Sequence, residues 1–162
     1  MRDVELSQLG EMLEQPWLAT LATYRKDGTV MLSPVWFEYD GSDFVVSLVR
    51  GHGKEKQIRN DPRVTLCIAE EETFPGRVVE VSGSAIVGPD VGAEGILRIA
   101  TRYVGGELAR EYVDHYEGFE WLLMRLAPQR LRALDHRDEP LMHRAEPKYL
   151  EKDYTAAEPH TF

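Results

Sequence analysis

Two Asp-Gly pairs, Asp27-Gly28 and Asp40-Gly41, each separate runs of strand-forming residues. Asp-Gly suits tight hairpins, because its backbone accepts the positive φ values that such turns require. Trp17-Leu18-Ala19-Thr20-Leu21-Ala22-Thr23-Tyr24 precedes the first pair, Val30 to Tyr39 lies between the two, and Asp43 to Val49 follows the second. The arrangement predicts three antiparallel strands in a meander, which commits this part of the chain to a sheet.

The remaining pattern extends that sheet and inserts helices into it. Leu6, Leu9, Met12 and Leu13 stand at helical spacing before Pro16, which stops the continuation. After Gly51-His52-Gly53, the run Lys54 to Asn60 has room for about two helical turns before Asp61-Pro62, since a residue preceding proline avoids the helical region. Val64 to Glu70 and Arg77 to Val87 read as strands separated by the acidic Glu70-Glu71-Glu72 and a Pro75-Gly76 turn. The period then becomes helical over Gly92 to Val104 and Glu107 to Tyr116. Phe119 to Ala133 returns to strand, with Pro128 marking a kink or bulge.

The expected fold is mostly β with inserted helices: six or seven antiparallel strands that close on themselves or pack as a barrel and so leave no exposed edge. It occupies residues 1–135. From His136 to Phe162 the chain is charged, holds Pro140, Pro147 and Pro159, and reads as a partly ordered C-terminal arm.

Composition narrows the function. A chain of 162 residues fits one hydrophobic core, and no run approaches the ~20 apolar residues of a membrane span. The net charge of −9 argues against a nucleic-acid partner and against an anionic membrane surface. Met1-Arg2-Asp3-Val4-Glu5 lacks the basic end and apolar run of a signal peptide, so a cytoplasmic location is expected. The single cysteine, Cys67, allows no intrachain disulfide and reads as a small core residue of a buried strand. His115 is expected to face solvent, and His136, His143 and His160 are dispersed in the tail, so no metal site is expected.

One window departs from the acidic average. Between Arg50 and Arg63 stand five basic residues (Arg50, Lys54, Lys56, Arg59, Arg63) against two acids, Glu55 and Asp61. In Ser47-Leu48-Val49-Arg50-Gly51-His52-Gly53-Lys54 a strand runs through glycines into a helix with lysine in its first turn. Unpaired N–H groups and the positive end of the dipole suit an anion there. A solvated basic helix would give the same pattern. A second stretch, Leu32-Ser33-Pro34-Val35-Trp36-Phe37, carries a proline that belongs at a strand edge or bulge. Such an edge leaves peptide groups free for a planar ligand, with Trp36 and Phe37 on opposite faces. Core aromatics beside an edge bulge are the plainer explanation.

Taken in order, Trp17 to Thr23, Lys26-Asp27-Gly28, Ser33-Pro34-Val35-Trp36-Phe37, Lys54 with Gln57-Ile58, and Asn60-Asp61-Pro62-Arg63-Val64 resemble the pyridoxamine 5′-phosphate oxidase-like split β-barrel proteins, FMN-binding by type. They are most similar to the branch that uses the deazaflavin coenzyme F420. The resemblance implies a homodimer whose two cofactor sites are each built from both subunits. It implies that the strand bearing Ser33, Pro34, Val35 and Trp36 lies along the cofactor ring. Ser47 and Leu48 at a strand end, with His52, Gly53, Lys54 and Gln57 at the helix start, would receive the ribityl phosphate. Family members often carry a second basic residue just before that lysine, where this chain has His52-Gly53. The segment expected of a true pyridoxamine-phosphate oxidase is not evident. The function implied is hydride transfer between coenzyme F420, or else FMN, and a small organic substrate. The alternative is a binding or storage protein that holds a flavin, haem or tetrapyrrole without turnover.

Overall fold

The computed structural model describes residues 2–70 and 76–137. Ten strands and three α-helices follow in order: β1 (Arg2–Asp3), a 3₁₀ segment (Leu6–Glu14), β2 (Ala19–Tyr24), β3 (Val30–Val35), β4 (Glu38–Tyr39), β5 (Phe44–Val49), α1 (Gly53–Asn60) and β6 (Arg63–Ala69). Then come β7 (Arg77–Ser84), β8 (Ile86–Pro89), α2 (Glu94–Val104), α3 (Gly106–His115), β9 (Trp121–Leu126) and β10 (Arg130–Asp135). One antiparallel sheet has the order β1-β10-β7-β6-β2-β3, and a second has the order β4-β5-β9-β8.

Both meander turns form where the Asp-Gly pairs stand, with Gly28 at φ +83 and Gly41 at φ +98. The predicted strand count falls short because three runs each cross from one sheet to the other. Val30 to Tyr39 breaks at Trp36-Phe37, Arg77 to Val87 turns at Ala85, and Phe119 to Ala133 divides around Pro128 into β9 and β10. Crossing strands hold the two sheets around one core that includes Leu21, Leu66, Ile68, Val79 and Val81 from the first sheet. Phe44, Val46, Leu122 and Met124 come from the second, and Ile58 of α1, Leu9 and Met12 complete it. The result is a split β-barrel.

Alternation sets the faces. In β6, Val64, Leu66 and Ile68 point to the core, while Arg63, Cys67 and Ala69 are exposed. Cys67 is thus no core residue: its strand is half-buried, and the thiol stands on the outer face opposite Glu80. Partial burial among neighbouring side chains, then the Glu80 carboxylate, pushes the thiol above its ordinary pKa. The N-terminal helical pattern folds as 3₁₀ turns. The Arg102 guanidinium donates to the carbonyls of Leu13 (2.9 Å) and Gln15 (3.1 Å) just where that segment ends.

The α2–α3 hairpin inserts between β8 and β9. The Asp90 carboxylate accepts hydrogen bonds from the N–H groups of Gly95 and Ile96, each at 2.8 Å, and so caps the start of α2. Gly95 lets α2 approach β9 closely, since a Cβ there would lie 2.6 Å from the Leu123 side chain. Among the described residues no helix is long and apolar enough to cross a membrane. No group of three or more His, Cys, Asp or Glu side chains among them is placed to hold a metal ion. The C-terminal arm beyond Arg137, including His143 and His160, lies outside the described residues, as do Glu71, Glu72 and Pro75.

Candidate functional site

Two adjoining hollows open where β3, β5, α1, α3 and β9 meet. The first, about 290 Å³, is lined by Ser47, Leu48, His52, Lys54 and Glu55 together with aromatic rings. The second, about 380 Å³, runs from Leu18 and the β3 edge (Pro34, Val35, Trp36) to Ile96. Ser47, Lys54, Tyr112 and Trp121 line both, so they form one cleft. Its size falls in the range of small-molecule sites.

Of the sequence-derived candidates, the fold brings Pro34, Val35, Trp36, Ser47, Leu48, His52 and Lys54 to this cleft. Three lie elsewhere. Ser33 is buried on the inner face of β3 opposite Leu21, as its place in the strand alternation requires. Gln57 is turned toward β2, where its Oε1 accepts a hydrogen bond from the buried Thr23 hydroxyl at 2.6 Å. Gly53 and Gln57 border a separate depression with Arg25, Lys26 and Lys56.

The break in the β3–β4 edge is filled from within the chain. The Tyr103 hydroxyl accepts the Phe37 N–H at 3.1 Å and donates to the Trp17 carbonyl at 2.8 Å. The Phe37 N–H and the Trp17 carbonyl are therefore engaged by Tyr103. Trp36 and Phe37 do part company: Phe37 is fully buried, while Trp36 faces the cleft and stacks on Tyr103 at 5.1 Å.

The electrostatics are sparer than the basic window suggested. Arg50 pairs with Glu120, Arg59 with Glu55, and Arg63 with Asp61. Lys54 enters no ion pair among the described residues and lines both hollows, and Lys56 faces the separate depression. The Ser47 hydroxyl oxygen is buried without a hydrogen-bond partner among the described residues. A buried hydroxyl of this kind calls for a partner, and a phosphate- or ribityl-bearing ligand reaching Lys54 would supply one. The donor set therefore fits a flavin-type group.

Sequence reasoning missed the aromatic wall. Tyr112 stands 5.6 Å from Trp36 and 5.0 Å from Tyr116, and Phe119 is 5.2 Å from Tyr116 and 6.2 Å from Trp121. Tyr112 and Tyr116 occur four residues apart, a one-face spacing that reads equally well as an ordinary buried helix stripe. Burial, and then Tyr116, raises the Tyr112 pKa, so its phenol stays protonated. His115 is exposed, as expected.

Two sheets sharing one core, with a cleft at the β5–α1 junction, define a split β-barrel protein. The chain belongs to the pyridoxamine 5′-phosphate oxidase family, whose sequence model matches residues 7–131. No curated protein matches the sequence. Among solved structures, the chain resembles a conserved hypothetical protein, Rv2991, from Mycobacterium tuberculosis, with a TM-score of 0.70 and 24% identity over 83% of this chain and 86% of that one. It also resembles an F420 reductase (TM-score 0.62, 23% identity, 75% and 93% covered). HutZ, the haem storage protein from Vibrio cholerae, is a third (TM-score 0.60, 18% identity, 78% and 92% covered). At these identities the likeness is one of fold.

Proposed function

We propose that this chain is an oxidoreductase that binds a flavin-type cofactor, coenzyme F420 ahead of FMN, in the cleft and passes hydride between it and a small organic substrate. The observation that carries the reading is the meeting of Lys54, unpaired among the described residues, with the partnerless Ser47 hydroxyl in a cleft bordered by the β3 edge. Lys54 and Ser47, with His52 beside them, would hold the ribityl phosphate; Pro34, Val35 and Trp36 would flank the ring. The cofactor supplies the redox chemistry when bound, and the protein positions it, excludes water and orients the acceptor. The aromatic wall of Tyr112, Tyr116, Phe119 and Trp121 suits a planar conjugated acceptor.

The proposed assembly is a cytoplasmic homodimer. The outer face of the β2–β3–β6–β7 sheet carries small side chains (Thr20, Ala22, Thr65, Cys67), and beside them Leu32 on the edge strand is 66% exposed. A second copy seated there would cover that edge.

Titration with FMN and with coenzyme F420, followed by absorbance, tests the assignment. Lys54→Ala is expected to weaken binding of either cofactor by about tenfold or more while leaving riboflavin unaffected; unchanged affinity for both would defeat it. Reduction of a test quinone or enone by the loaded protein separates an enzyme from a storage protein, for which binding without turnover is the expected result.

A further inference from the structure

Glu55 stands in the first turn of α1, one residue after Lys54, and is only 4% exposed. Its carboxylate accepts the Gly51 N–H at 3.2 Å and pairs with the Arg59 guanidinium, which lies 47% exposed toward solvent. The hydrogen bond from Arg59, then that from Gly51, holds the carboxyl below its ordinary pKa against the cost of burial, so it is ionised. Apart from His52, the charged side chains lining the first hollow are Lys54 and Glu55, with Arg59 and Arg50 acting on the carboxylate from outside that lining. A buried anion therefore stands at the helix start where a phosphate would be drawn, and it already engages one loop N–H. Water screens the outward Arg59 far more than the inward carboxylate.

Resting on the flavin reading above, we propose that Glu55 selects the charge of the phosphate accepted here: a phosphodiester with one negative charge over a phosphomonoester with nearly two. A monoester carries about −1.5 to −2 at neutral pH, whereas a diester carries one charge at any pH near neutrality. One lysine balances a single charge. The second charge of a monoester meets the repulsion of the Glu55 carboxylate, which is buried and so screened less by water than an exposed one. The deazaflavin coenzyme F420 holds its phosphate as a diester and FMN holds it as a monoester, so the same residue ranks the two cofactors.

The test compares three ligands that share one ring: riboflavin, FMN, and the monomethyl ester of FMN, a phosphodiester. In the native protein the methyl ester is expected to bind more tightly than FMN, by about fivefold or more at pH 8. In Glu55→Gln, FMN is expected to gain about tenfold and the methyl ester clearly less, with riboflavin unchanged. FMN binding as tightly as its ester in the native protein overturns the proposal without any variant, and so does an FMN-to-ester ratio that Glu55→Gln does not move. Binding of none of the three, nor of coenzyme F420, overturns the flavin reading itself, and this inference with it.

Discussion

At the residue scale, what decides a side chain's role here is which groups its neighbours leave unsatisfied. Tyr103 is the clearest case: its hydroxyl both accepts from Phe37 and donates to Trp17, closing the gap where a strand leaves one sheet for the other. Tyr103→Phe removes both bonds and strands partly buried peptide groups. It is expected to lower stability by about 1–3 kcal/mol in urea unfolding, and to loosen Trp36, which stacks on the same ring. The helix start that carries Lys54 was legible in the sequence, because flanking glycines and the Asp61-Pro62 stop are local signals. The pairing of Arg50, Arg59 and Arg63 was not, since Glu120 lies far along the chain and approaches only through the β5–β9 pairing, while Glu55 and Asp61 could equally have faced solvent.

At the scale of elements, the fold turns on the places where strands change sheets. Gly83 sits just before one of them. A Cβ there would lie 2.9 Å from the Ala127 carbonyl oxygen and 3.0 Å from the Leu126 side chain, so β7 passes the β9–β10 connection with no space to spare. Gly83→Ala is expected to cost about 1–3 kcal/mol, read as a lower midpoint at unchanged slope in denaturant unfolding. Within the six-stranded sheet, at the connection of β6 to β7, Glu70 and Arg77 pair with side chains only 8% and 15% exposed, and Arg77 also donates to the Leu9 carbonyl. Arg77 holds the Glu70 carboxyl below its ordinary pKa. A carboxyl depressed on folding contributes stability above its unfolded pKa and loses it as pH falls through the folded one. Glu70→Gln should therefore lower stability at pH 7 and weaken its dependence on acid pH, checked by urea unfolding at neutral and acid pH.

At the scale of the molecule, the six-stranded sheet has one face in the core and another that carries Thr20, Thr65, Cys67 and Glu80 in register. With Val30 and Leu32 exposed on its edge strand, that face suits a second copy. Sedimentation is expected to show a dimer. Leu32→Arg should shift it toward monomer and weaken cofactor binding together, because each site is proposed to draw on both subunits; a fully monomeric native protein with full affinity would refute this.

The sequence by itself determined the meander and the glycine-flanked start of α1, because turn chemistry and strand alternation are local properties written in consecutive residues; the family followed from the resemblance of its ordered motifs. Only the tertiary structure decided which side chains meet. It drew Ser33 and Gln57 away from the cleft, brought Tyr112, Tyr116, Phe119 and Trp121 into it, and set Glu55 beside Lys54 as a buried anion. Packing and ion pairing between distant segments have no short-range signature, so the charge of this site could be counted only once the chain was folded.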